Sequence, residues 1–138
     1  KRIDFEDYIR SLGNELYRTY AVNPNINMEI DLQEGLILDV DTAIPLGLIF
    51  NELFTNTLKH AFPNNKKGTI RVSFHKIDGN YQLIVEDDGV GLPEEFKLEE
   101  SDSFGLRLVD ALTQQIDAKV DLDTSQGTKY VITFKENM

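Results

Sequence analysis

The fold is decided by the stretch NELFTNTLKHA at residues 51–61, which follows the apolar run IPLGLIF at residues 44–50. At about 100° per residue, a helix would place Glu52, Asn56 and Lys59 on one stripe. The opposite stripe collects the apolar positions Phe50, Phe54, Leu58 and Ala61. One face is therefore predicted to pack on a sheet, while the other presents a carboxylate, a carboxamide and an amine.

The polar stripe of this helix fits a magnesium-bound polyphosphate, because it offers oxygen ligands beside a cation. A solvated surface helix is the simpler alternative, and charges at helical spacing usually indicate one. The amide of Asn56 departs from a plain ladder of glutamate and lysine, and further stretches fit the same ligand. We therefore favour a ligand-binding face.

The composition predicts one domain over residues 1–138, with 41% hydrophobic residues available for a core. Cysteine is absent, which excludes disulfides and thiol chemistry and favours a cytoplasmic location. The net charge of −10 argues against nucleic acid and against direct membrane contact. Because the first residue is lysine, we expect a piece of a longer chain.

Hydrophobic periodicity predicts three helices and six strands. The helices fall at residues 4–21, 44–61 and 103–117, with Asp4, Asp41 or Thr42, and Ser103 as N-caps. The strands fall at residues 28–32, 36–40, 69–77, 81–86, 118–123 and 129–134, and turns at 33–35 and 78–80 suggest hairpins. This pattern predicts an α+β fold, a two-layer sandwich whose mixed sheet is covered on one face by three helices.

A second chemical stretch, Asp87-x-Gly89-x-Gly91, closes a predicted strand. Glycines at such a bend accept positive φ and let the backbone approach a flat ligand. A carboxylate fixed there can accept a hydrogen bond from the exocyclic amine of adenine, so we interpret Asp87 as the residue that recognises the base. A tight turn rich in Asp and Gly is the alternative.

Two later stretches fit the same ligand. Residues 103–107 open a predicted helix, whose free N–H groups would form a phosphate cradle with Arg107. Gly127 and Thr128 join the last two strands, where a hydroxyl could support Asp87. An ordinary capped helix and an ordinary hairpin turn remain the alternatives.

Taken in order, the motifs identify a family. They are Asn51-Glu52-x-x-x-Asn56-x-x-Lys59-His60-Ala61, Asp87-x-Gly89-x-Gly91, Gly105-Leu106-Arg107-Leu108-Val109 and Gly127-Thr128. They resemble the N, G1, G2 and G3 boxes of the GHKL ATP-binding superfamily, whose fold is the Bergerat-type sandwich. The run at residues 44–53 and the N-terminal helix within residues 1–22 resemble the catalytic ATP-binding domain of sensor histidine kinases.

The resemblance implies a binding pocket for the adenine base. Asp87 would bind the adenine amine, Gly91 would give the ring room, and Thr128 would support the carboxylate. Gly89 and Leu92 belong to the same glycine-rich bend and are implied ATP-binding residues.

The resemblance also implies a phosphate end with Mg²⁺ as cofactor. Asn56 would coordinate magnesium, while Lys59 and His60 would contact phosphate oxygens. Residues 92–102 would form a lid, and Glu52 occupies the position where related ATPases keep a general base. The residues that would close over the phosphates are Gly105, Leu106 and Arg107.

The family resemblance implies transfer of the γ-phosphoryl of ATP to a histidine on a separate dimerisation domain of the parent chain, with a response regulator acting downstream. Neither His60 nor His75 fits the acceptor, because the first lies in the ATP site and the second in a strand. An anti-sigma-type serine/threonine kinase of the same fold is the main alternative. An ATPase of the gyrase or chaperone kind and an adapter without nucleotide are two further ones.

Overall fold

Seven strands and three α-helices are present in the computed structural model, which describes residues 1–91 and 104–135. In chain order they are β1 (Arg2–Asp4), α1 (Phe5–Tyr20), β2 (Ile26–Leu32), β3 (Ile37–Asp39), α2 (Val40–His60), β4 (Gly68–Ile77), β5 (Asn80–Asp87), α3 (Phe104–Gln115), β6 (Lys119–Asp123) and β7 (Thr128–Lys135). A short 3-10 turn at Pro63–Asn65 follows α2. The predicted lid at residues 92–102, Leu92 and the predicted cap Ser103 lie outside the described residues.

The main sheet has five strands in the order β2-β4-β5-β7-β6. β2 and β4 are parallel, whereas the other neighbouring pairs are antiparallel, so the sheet is mixed as predicted. The β4–β5 hairpin turns through Asp78 and Gly79, whose positive φ values of 52° and 81° match its tight turn. The β5–β7 register pairs Asp87 with Thr128, which brings two predicted site residues together.

The core lies between one face of this sheet and the three helices. The strands contribute Ile70, Val72, Phe74, Leu83, Val85, Tyr130, Ile132 and Phe134, and the helices contribute Phe5, Ile9, Leu46, Ile49, Phe50, Leu53, Phe54 and Val109. The residues between them on β4, β5 and β7 are half-buried or exposed, since side chains alternate across a strand. The predicted α+β sandwich, with helices on one face, is confirmed.

The helix α2 begins earlier than predicted. Its N-cap is Asp39, whose carboxylate accepts a hydrogen bond from the backbone N–H of Asp41 at 3.2 Å, so capping by Asp41 or Thr42 is wrong. The N–H of Val40 donates instead to the carbonyl of Lys1 at 2.9 Å. The start of the helix therefore combines a local cap with a contact distant in sequence.

The predicted hairpin between residues 28–32 and 36–40 is also wrong. β3 pairs antiparallel with β1 in a separate two-stranded sheet, while β2 pairs with β4. Beyond β2, the N–H of Gln33 donates to the carbonyl of Phe74 at 2.9 Å, and the Gln33 side chain accepts from the N–H of Lys76 at 3.0 Å. These bonds hold the chain along β4, so it does not turn back onto β2.

Candidate functional site

A cleft of about 220 Å³ opens where the C-terminal half of α2 meets the ends of β5 and β7 and the first turn of α3. Its lining residues are Asn56, Thr57, His60 and Ala61 from α2, Asp87 and Gly91 from β5 and its bend, Leu106 from α3, and Thr128 and Tyr130 from β7. Six of the nine are predicted ATP-binding residues, so the fold brings together motifs that lie far apart in the sequence.

Helix α2 presents two neighbouring rows to the cleft. Asn56 and His60 are four residues apart, as are Thr57 and Ala61, and this spacing places each pair on one side of a helix. Asn56 is half-buried. The opposite side of the helix is buried in the core, which fixes the rotation of α2 and therefore the direction of these side chains.

Asp87 is the buried acceptor of the cleft, with 6% of its surface exposed. Its carboxylate accepts a hydrogen bond from the N–H of Gly89 at 2.8 Å. Burial raises the pKa of Asp87 above its ordinary value, and hydrogen bonds from Gly89, from the Thr128 backbone and from the Thr57 side chain oppose that rise. A carboxylate oxygen fixed by such hydrogen bonds can accept a further hydrogen bond from an N–H donor of a ligand.

The glycine-rich bend after β5 is joined to the end of α2. The N–H of Val90 donates to the carbonyl of Ala61 at 2.9 Å. A Cβ on Gly89 would lie 2.2 Å from that same carbonyl oxygen, so only glycine allows this approach. Gly91 has φ of +73°, a region that favours glycine, and it lines the cleft. The two glycines therefore have different roles: Gly89 permits the contact and Gly91 shapes the wall.

Three lining residues were missed by the sequence analysis: Thr57, Ala61 and Tyr130. Tyr130 lies two positions beyond Thr128 and has only 4% exposure. Burial, together with the charge of Asp87, raises the pKa of Tyr130 to about 12, so this phenol is neutral at physiological pH. Strand alternation from Thr128 would have indicated Tyr130, whereas Thr57 is next to Asn56 and lies about 100° away around the helix, so helical spacing does not indicate it.

Four other predicted site residues lie beside the cleft lining. Lys59 and Arg107 are exposed, and the Lys59 ammonium lies 5.0 Å from the centre of the Tyr20 ring. Glu52 is half-buried one turn before Asn56 on α2, and a Cβ on Gly105 would overlap its carboxylate. Glu52 and the start of α3 are therefore neighbours, and Gly105 has no room for a side chain.

The oxygen atoms that line the cleft limit how a divalent cation could bind there. Among the described residues, no group of three or more His, Asp or Glu side chains lies together in a way that could hold a metal ion. Asn56 lines the cleft from α2, and its carboxamide oxygen is of the kind that binds magnesium. One protein oxygen fits magnesium that arrives with a polyphosphate, because this ion usually keeps several waters and phosphate ligands.

Residues 41–138 match the family described as the histidine kinase-, DNA gyrase B-, and HSP90-like ATPase. The chain belongs to this ATPase family. The predicted GHKL resemblance is thereby confirmed, and the cleft on α2 is the candidate nucleotide site of a GHKL ATPase domain.

Sensor histidine kinases are among the curated relatives of this ATPase domain. It is 36% identical over 94 residues to the sensor histidine kinase PdtaS of Mycobacterium tuberculosis, covering 67% of this chain and 18% of that protein. It is 31% identical over 132 residues to blue-light-activated histidine kinase 2 of Erythrobacter litoralis, covering 91% of this chain and 38% of that protein. The ATPase domain therefore spans less than half the length of these curated relatives.

A solved structure supports the same branch of the family. The histidine kinase domain from the Erythrobacter litoralis EL346 blue-light-activated histidine kinase superimposes with a TM-score of 0.90 at 25% identity, covering 97% of this chain and 62% of that chain. Within the described part of the ATPase domain, no helix has both the length and the hydropathy for a membrane span.

Proposed function

We propose that this chain is the ATP-binding catalytic domain of a sensor histidine kinase, and that it transfers the γ-phosphoryl of Mg-ATP to a histidine on a separate dimerisation domain. One observation carries the proposal: a single cleft holds Asn56 and His60 together with Asp87, Gly91 and Thr128. The similarity to sensor histidine kinases over most of the chain supports this branch of the family.

Asp87 and its neighbours form the base end of the proposed ATP site. The buried carboxylate accepts from the adenine amine, and the backbone at Gly91 lies against the ring. Thr128 faces Asp87 in the β5–β7 register, and its N–H already bonds to the carboxylate. Because a guanine presents a carbonyl at the corresponding position, an ionised Asp87 selects adenine.

Asn56 and His60 form the inner wall of the phosphate end. Lys59 is on the same turn of α2, and its flexible stem allows the ammonium to leave Tyr20 for a phosphate oxygen. Arg107 lies in the first turn of α3, where the helix N-terminus also favours an anion. We propose that these side chains neutralise and orient the polyphosphate.

Asn56 is the residue that would hold Mg²⁺ in this site, through its carboxamide oxygen. A magnesium ion bound there supplies neutralisation of phosphate charge. The acidic chain, with its net charge of −10, makes such neutralisation necessary before an anionic nucleotide can bind. Phosphoryl transfer needs positioning and charge compensation above all, and Asn56, Lys59 and Arg107 provide both without covalent chemistry.

The first test is nucleotide binding. We expect a fluorescent ATP analogue to bind the parent chain in the presence of magnesium and to be released by excess ATP or by EDTA. Asn56→Ala should remove the magnesium dependence and lower affinity at least about tenfold, because its oxygen ligand is lost. The matched control is Asn14→Ala, the same change at an exposed position of α1. Tight, magnesium-dependent binding by Asn56→Ala would refute the site.

The second test separates the related kinases. Incubation with radiolabelled ATP and a histidine-bearing helical hairpin should give acid-labile, base-stable phosphate on the hairpin, as expected for phosphohistidine. Acid-stable phosphate on a serine of a partner protein would favour the anti-sigma-type alternative. ATP hydrolysis without any acceptor would favour the gyrase-like and chaperone-like ATPases. Transfer to a response regulator, and a cytoplasmic location where ATP is available, belong to the same proposal.

A further inference from the structure

Lys59 lies outside the arc of α2 that lines the cleft. The residues of α2 and its C-cap that line the cleft are Asn56, Thr57, His60 and Ala61. Because a helix turns by about 100° per residue, these side chains span an arc of about 140°, and Lys59 lies about 60° beyond the edge that Asn56 marks. The Lys59 ammonium is found over the ring of Tyr20, 5.0 Å from the ring centre.

The contact with the Tyr20 ring is what holds the Lys59 ammonium in this position. Within residues 1–91 and 104–135, Lys59 forms no salt bridge and no side-chain hydrogen bond. The negative face of an aromatic ring attracts an ammonium that lies within about 6 Å of the ring centre. Since 37% of Tyr20 is exposed, this attraction is of the weak, solvated kind, which favours the occupied position by about two- to fivefold.

The backbone that carries Tyr20 is tied to the segment that follows α2. Tyr20 is the last residue of α1. Three residues later, the buried Asn23 side chain donates to the Lys66 carbonyl at 2.9 Å and lies 3.5 Å from the Phe62 carbonyl. These bonds keep the ends of the two helices adjacent whichever way Lys59 points. The ring is therefore a fixed neighbour, and the flexible lysine is the part that can move.

We propose that Tyr20 is a positioning residue that competes with the nucleotide for Lys59, holding the ammonium outside the cleft until a phosphate oxygen displaces the ring. This inference rests on the proposed function in one respect, that Lys59 contacts the phosphates of ATP. The apparent affinity for a ligand is reduced by the fraction of chains in the competent state, which here is the fraction whose Lys59 has left the ring. Tyr20 thus lowers the affinity of the phosphate end and does not act on the base end.

The decisive experiment compares affinities for the fluorescent ATP analogue in the presence of magnesium. Tyr20→Leu keeps an apolar side chain and removes the ring, so it should bind the analogue about two- to fivefold more tightly than the parent chain. Tyr20→Phe keeps the ring face and should bind like the parent. A purely structural role predicts the opposite sign, because damage to the end of α1 would weaken binding or leave it unchanged. If Tyr20→Leu does not fold, Tyr20→Gln replaces it.

The charge of Lys59 supplies the matched control. Lys59→Met keeps an unbranched side chain and removes the ammonium. In this background, Tyr20→Leu should change the affinity for the analogue by less than about 1.5-fold, because the ring has no cation left to hold. Adenosine has no phosphates, so its affinity should be the same in the parent and in Tyr20→Leu. A gain that persists without the Lys59 charge, or that extends to adenosine, would contradict the competition.

NMR of the Lys59 ε-methylene group tests the ring contact itself. The signal, assigned by its loss in Lys59→Met, should be shifted upfield by the ring in the ligand-free parent and in Tyr20→Phe, but not in Tyr20→Leu. Saturating Mg-ATP should abolish the upfield shift in the parent, because the ammonium leaves the ring. A signal that stays shifted in the ATP complex would show that Lys59 is not released, and the inference would be wrong.

The outcomes separate this inference from the proposed function. A parent chain that does not bind ATP would overturn the proposed function, whatever the NMR signal of Lys59 shows. If the parent binds ATP and Tyr20→Leu binds it equally well or more weakly, the competition by Tyr20 is ruled out while the proposed function stands.

Discussion

The two ends of the cleft are built differently. At the base end, Asp87 and Thr128 are buried, paired in the β5–β7 register and hydrogen-bonded before any ligand arrives. At the phosphate end, Lys59 and Arg107 are exposed, and Lys59 contacts Tyr20. The base end can thus recognise a ring without rearrangement, whereas the phosphate end must be ordered by the ligand. In the proposed site, specificity therefore resides in the sheet, and charge compensation resides in exposed side chains.

The largest expected effect tests the rigidity of the base end. Gly127→Ala should lower the free energy of unfolding by about 3–5 kcal/mol, because φ is +80° and the new Cβ would lie 2.1 Å from the Asp87 carbonyl oxygen. Gly79→Ala is the matched control, since Gly79 has φ of +81° but no atom within 4 Å of a Cβ. It should cost about 1–2 kcal/mol. Urea denaturation would measure both, and equal losses would show that the contact with Asp87 is unimportant.

The next effect tests what the base end recognises. Asp87→Asn should weaken ATP binding about 10- to 100-fold and remove the preference for ATP over GTP, because the carboxamide offers a donor as well as an acceptor. Asp88→Asn is the control, since the Asp88 carboxylate accepts from the N–H of Thr69 at 2.8 Å and is not part of the cleft lining. Competition titrations with ATP and with GTP would measure both the loss of affinity and the loss of preference. If Asp87→Asn binds ATP and GTP with the affinities of the parent chain, Asp87 does not recognise the base.

The contrast between the buried base end and the exposed phosphate end also explains how much of the site could be predicted from the sequence. Asn56 and His60 are determined by helical spacing, and Asp87 and Gly91 by a turn motif, so local patterns located them. Lys59 belongs to the same motif, yet the direction of its side chain depends on Tyr20 at the end of α1. Periodicity places a residue on a face, but tertiary neighbours select its rotamer.

The errors in the fold have the same origin. The alternation of apolar and polar residues correctly assigned residues 28–32 to a strand. Such alternation shows which side chains share a face of the sheet, but not which strand is the neighbour, so the parallel pairing with β4 could not be predicted. The predicted caps of α2 were Asp41 or Thr42, but the cap is Asp39, and the N–H of the next residue, Val40, bonds to the distant Lys1 carbonyl. Thr57 was not predicted to line the cleft because a hydroxyl in the middle of a helix carries no motif.

A smaller effect should appear at the phosphate end. Lys59→Ala and Arg107→Ala should each weaken ATP binding about two- to tenfold while leaving adenosine binding unchanged, because exposed charges act on the phosphates through screened attraction. The controls are Lys119→Ala and Arg10→Ala, two exposed positions outside the cleft lining. Isothermal titration at low and high salt would show the effect shrinking with ionic strength. A loss that also affects adenosine would mean that the two ends are not separate.

The smallest expected effect is a change with pH in the free energy of unfolding, and it follows from the burial of the Asp87 carboxyl. Burial raises the pKa of this carboxyl in the folded chain above its unfolded value, so the group contributes most to stability below the unfolded pKa. That contribution is lost as the pH rises through the folded pKa. The free energy of unfolding of Asp87→Asn, minus that of the parent, should therefore become more positive between about pH 4 and about pH 8. Other titrating groups are common to both chains and cancel. A difference that stays constant over this range would mean that ionising the buried Asp87 carboxyl has no energetic cost.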